Sequence, residues 1–78
     1  MDIDEWMDKA KSTISKMKIG NKFVVKDLFE GVEWNNLERG DKLFFGKHFK
    51  NQVSEDKISR VRYIGKLANN SSQYIIEG

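Results

Sequence analysis

Two short stretches of this chain hold the residues whose chemistry stands out. The first, DKLFFGKHFKNQV (Asp41–Val53), carries Lys42, Lys47, Lys50 and Asn51. The second follows it and carries Arg60, Arg62 and Lys66 ahead of the polar run Asn69-Asn70-Ser71-Ser72. Lysine and arginine in such numbers suit phosphate: guanidinium groups clamp phosphate oxygens and ammonium groups act as point charges. Asn51 adds a side chain able to pair bidentately with adenine, and Asn69 and Asn70 at a loop tip suit the minor groove. The chemistry expected is recognition of a nucleic acid.

Other chemistry has little to build on. The sequence contains no cysteine and one histidine, His48, with no carboxylate at ligand spacing, so we expect no metal and no cofactor. No nucleophile–base pair, glycine-rich phosphate loop or paired acids at a pocket is visible, and no enzymatic activity is expected. The acids Asp2, Asp4, Glu5 and Asp8 are explained by a helix N-terminus and by solubility. The tripeptide Arg39-Gly40-Asp41 reads as a turn and a helix start rather than as an adhesion motif.

Charge is divided unevenly. Residues 1–41 hold nine acids and seven bases, whereas residues 42–78 hold three acids and seven bases, so the net +2 belongs to the second half. Such asymmetry fits a side that faces a polyanion. The N-terminal MDIDEWMDKAK has no signal-peptide plan, and no apolar run approaches the roughly eighteen residues of a membrane span, so a cytoplasmic location away from membranes is expected. Within that chain Asn69-Asn70-Ser71-Ser72 reads as an exposed loop, not a glycosylation site.

The elements that must hold these residues can be read from periodicity. With 78 residues the chain forms one domain, burying roughly 60–65% of its unfolded surface. Without disulfides, its nine aromatic residues must supply the core. Residues 1–18 hold an amphipathic helix over 2–17, with Ile3, Trp6, Met7, Ala10, Ile14 and Met17 on one face and Gly20 as its stop. Residues 21–57 hold a short strand (21–25), a short helix (26–31) closed by Gly31, a connection (32–40) burying Trp34 and Leu37, and a third helix. That helix starts at Asp41, or a turn earlier at Glu38. Phe45, Phe49 and Val53 form its inner stripe, and Gly46 admits a close neighbouring helix. Phe44 is expected in the core, and Lys47 and Asn51 on the outer side, flanked by Lys50 and His48. Residues 58–78 read as a hairpin of strands 58–66 and 73–78.

This order resembles a winged helix-turn-helix, an α+β fold of three helices, a short strand and a C-terminal β-hairpin wing. The resemblance implies that the third helix enters the major groove and that the wing lies along the backbone. The connection of residues 32–40 is longer than the usual three or four residues of such a turn, and the third helix as read holds no arginine. A second resemblance rests on FVVKDLF (Phe23–Phe29), Trp34, Leu37, RGDKLFFGKHF (Arg39–Phe49) and Val53. These residues are similar to an uncharacterised family of short, mostly Gram-positive bacterial proteins.

The expected function is therefore binding of double-stranded DNA, as a transcriptional regulator or an accessory or architectural factor of a bacterial mobile element. Tight specific binding by so small a module would call for a homodimer or tandem sites. The rival expectation is a protein-interaction module, an accessory subunit or phage-type inhibitor, that keeps the scaffold without the DNA.

Overall fold

Asp2 opens the first helix by accepting a hydrogen bond from the Glu5 amide at 3.2 Å, and Asp4 and Glu5 complete an acidic first turn. The computed structural model describes residues 1–78. Helix α1 (Ile3–Ser15) turns Met7, Ala10 and Ile14 into the core, and ends two residues earlier than the apolar pattern implied. Strand β1 (Lys22–Val24) follows. A 3-10 turn (Val25–Leu28) comes next, pinned by a 3.0 Å hydrogen bond from the Val24 amide to the Asp27 carboxylate. The Thr13 hydroxyl donates to the Leu28 carbonyl at 3.1 Å and ties this turn to α1.

The middle of the chain departs from the periodic reading. Gly31 does not close a helix; it begins α2 (Gly31–Asn35). Helix α3 runs Arg39–Ser54, so Glu38 rather than Asp41 is its N-cap and Arg39 lies in its first turn. Only residues 36–38 separate the two helices, and the long connection becomes a tight turn. A single-turn helix has almost no propensity signal of its own. Here it is held by Trp34, which stacks on Phe29 at 5.5 Å and meets Phe45 edge-on at 6.3 Å. Lys9 reaches across from α1 to Glu33 at 3.0 Å, and this carboxylate raises the lysine's pKa.

Phe45 and Phe49 are fully buried and carry α3 onto the core, with Val53 half-buried beside them. Trp6 and Trp34 pack at the rim of that core rather than within it. Two expectations on this helix fail. Phe44 is 57% exposed and stacks only on His48, because its position points away from the Phe45–Phe49 stripe. Gly46 has no helix against it; a Cβ there would meet no atom within 4 Å.

Beyond α3 the chain does not enter a strand at Ile58. Asp56 and Arg60 take left-handed backbone angles (φ 59° and 69°), and the corner between them drops Ile58 into the core. The hairpin strands are β2 (Val61–Lys66) and β3 (Ser72–Ile76). Strand β1 pairs antiparallel with β3, placing Phe23 opposite Tyr74, so the sheet order is β1-β3-β2. The result is an α+β domain of three helices and one antiparallel sheet. The Tyr74 hydroxyl is buried with no hydrogen-bond partner. Burial pushes this phenol up to about 12; the nearby Ser72 hydroxyl pulls the other way without closing a hydrogen bond.

Candidate nucleic-acid interface

Four-residue spacing sets Lys42, Gly46 and Lys50 on one stripe of α3, with Leu43 and Lys47 on the next. These residues form one wall of a groove of about 530 Å³. The hairpin contributes Lys66, Asn69 and Asn70 to the same groove, and the 3-10 turn contributes Lys26. Apolar surface comes from Val24, Val25, Trp34 and Leu43.

The electrostatics of this groove are one-sided. Five lysines line it (Lys26, Lys42, Lys47, Lys50 and Lys66) and no carboxylate does. None of the five takes part in an ion pair, whereas Lys9, Lys57 and Arg62 each do. Like charges gathered without counter-charges raise the local potential and draw a polyanion. One of them is held in place: the Lys50 ammonium lies 4.5 Å over the centre of the Tyr63 ring.

Lys66 reaches this groove because β2 carries a bulge. Tyr63 pairs with Tyr74 and Gly65 with Gln73, so Ile64 is left without a partner. Gly65 takes φ 115°, a backbone region closed to ordinary side chains. Lys66 thereby comes opposite Ser72, on the face of β3 that also bears Tyr74. Arg62 stays opposite Ile75, on the other face.

A model described as a domain of unknown function, DUF1413, matches residues 8–75 of this chain. The chain belongs to the DUF1413 family. Comparison with curated proteins and with solved structures finds no match.

The structure of this DUF1413 domain sorts the residues singled out in the sequence. Lys42, Lys47, Lys50, Lys66, Asn69 and Asn70 come together on the groove. Asn51 is exposed on α3 but does not line it. Arg62 is committed to Glu77 at 2.8 Å. Arg60 turns toward the end of α1, where its guanidinium donates to the Met17 carbonyl at 3.4 Å. It lines a smaller cleft of about 340 Å³ with Lys11 and Lys57, the latter paired with Glu55 at 3.1 Å.

Sequence reasoning missed Lys26, Trp34 and Leu43 as groove residues. No spacing signal could have found Lys26, since it joins the others only when the 3-10 turn folds back beside α3. The bulge did leave a signal: a glycine inside a strand pattern, Gly65, marks such irregularities. At the hairpin tip the Asn69 carboxamide accepts from the Ser71 amide at 3.1 Å, and the Asn70 amide donates to the Leu67 carbonyl at 2.9 Å. These bonds shape the tip and leave the Asn70 side chain exposed. No group of three His, Asp or Glu side chains is placed to hold a metal ion, and no helix is long and apolar enough to cross a membrane.

Proposed function

We propose that this DUF1413 protein is a small non-catalytic winged-helix protein that binds double-stranded DNA in the cytoplasm, as a regulator or an architectural factor. The observation that carries the reading is the groove of five unpaired lysines drawn from the 3-10 turn, α3 and the hairpin. The element order, the three-residue turn before α3 and a hairpin beside that helix all favour it. With α3 in the major groove and the hairpin tip at the adjacent minor groove, one phosphodiester strand must pass between them. The lysine-lined groove lies between those same two elements. Leu43, 64% exposed on α3, offers an apolar contact for a thymine methyl group.

The test is fluorescence anisotropy with a labelled generic duplex over a salt series. Release of counterions by five lysines gives a slope of log K against log salt of about −4 to −5. Changing Lys47 and Lys50 together to Ala shrinks that slope by about 2. A wild-type protein that binds no duplex at low salt overturns the reading.

One observation favours a second reading, a protein-interaction module. Leu43 and Phe44 present neighbouring exposed apolar surface on α3, 64% and 57% accessible. A duplex of any sequence failing to bind, together with loss of a protein contact in a Phe44→Ala variant, would support it.

A further inference from the structure

We infer that the bare helix surface at Gly46 is the seat of the DNA strand that passes between α3 and the hairpin; this rests on the DNA-binding reading above. Glycine in the interior of a helix weakens it relative to alanine, so its presence there calls for a reason. Packing provides none, because a Cβ at this position would meet no atom within 4 Å. Backbone geometry provides none either: the only glycines with positive φ are Gly20 and Gly65.

What Gly46 does have is its place in the groove. Lys42 lies one turn before it and Lys50 one turn after it, on the same stripe. The stripe therefore reads lysine, bare backbone, lysine, with the two lysine Cα atoms about 12 Å apart along the helix axis. Both lysines are half-buried, so their stems lie along the protein surface and flank the gap. A phosphodiester strand resting on residue 46 sits within reach of both. A side chain at that position lifts the strand off the helix, and attraction to each lysine falls as the separation grows. Across the groove, Lys66 and Asn70 approach the same strand from the hairpin. The ligand class is thus a nucleic-acid backbone in direct contact with helix α3, not a diffuse polyanion held at a distance.

The experiment compares wild type, Gly46→Ala and Gly46→Gln, none of which alters the charge. Thermal unfolding by circular dichroism and anisotropy with a generic duplex of about twenty base pairs at low salt are measured on each. Both variants are expected to fold, with Tm at or above that of wild type, since a Cβ at this position has open space and both new residues favour the helix over glycine. Duplex affinity is expected to fall about threefold for Gly46→Ala and at least tenfold for Gly46→Gln. Wild-type affinity in a folded Gly46→Gln variant overturns the inference while leaving the DNA reading intact. Should Gly46→Gln not fold, Gly46→Ala decides, and unchanged affinity there overturns the inference. A wild-type protein that binds no duplex removes both.

Discussion

The Lys50 ammonium rests 4.5 Å above the ring of Tyr63, and this contact links the helix that bears most of the groove lysines to the strand that leads to the hairpin tip. Tyr63 is itself packed against Tyr74, with ring centres 5.6 Å apart, so the contact is anchored in the sheet. Replacing Tyr63 by Leu keeps apolar bulk but removes the ring face. Such a pair contributes about 0.5–1 kcal/mol to holding the Lys50 side chain in place, so freeing that side chain should weaken duplex binding by no more than roughly two- to fivefold. Because Lys50 stays charged, the salt slope should not change. Anisotropy over a salt series checks both statements.

Gly65 controls where Lys66 points. At φ 115° the position excludes an ordinary side chain, so Gly65→Ala either strains the strand or removes the bulge. The expected cost is at least about 1 kcal/mol, or a fall in Tm of roughly 4–8 °C for a domain of this size. Duplex binding should weaken as well, although no charge is lost. Thermal unfolding and anisotropy on one preparation test the pair.

Arg62 and Lys66 lie four residues apart on one strand, yet should behave differently. Lys66 lines the groove, whereas Arg62 is on the opposite face of the sheet and paired with Glu77 at 2.8 Å. Lys66→Ala should reduce the salt slope of duplex binding by about 0.9, the share of one phosphate contact. Arg62→Ala should leave it unchanged. Equal losses in the two variants would count against the groove as the binding surface.

Tyr74 gives the fold an alkaline limit. Its phenol ordinarily ionises near 10 and is pushed up to about 12 in the folded chain by burial. The unfolded chain therefore loses this proton first, and the stability present below pH 10 declines as pH rises from 10 to 12. Tyr74→Phe should remove that contribution to the decline. It should also keep or raise stability at neutral pH by up to about 1 kcal/mol, because the hydroxyl it deletes has no partner. Urea unfolding of both proteins at pH 7 and pH 11 distinguishes these effects.

Helix α1 and the inner stripe of α3 were legible in the sequence because their burial follows a 3.6-residue period. Phe45 and Phe49 are the fully buried members of the stripe read for α3. Phe44 misled because it lies among apolar neighbours in the sequence but on the other side of the helix in space. Helix α2 is hidden in the sequence because five residues carry no periodic pattern; tertiary contacts hold them helical, above all the packing of Trp34 on Phe29 and Phe45. Ile58 alternated plausibly with the residues of a strand, yet two left-handed corners make it a plug in the core.

The amino-acid order alone determined that there would be an α+β domain with an aromatic core, basic residues gathered in its second half and lysines on the outer side of α3. These follow from composition and short-range periodicity, which act along the chain. Tertiary structure decided which cations share a surface. A one-residue bulge at Ile64–Gly65 reversed the facing of Lys66 relative to Arg62, and the return of the 3-10 turn brought Lys26 beside α3. Neither is a local property, because side-chain facing in a strand depends on pairing register and proximity between distant segments depends on the packed core.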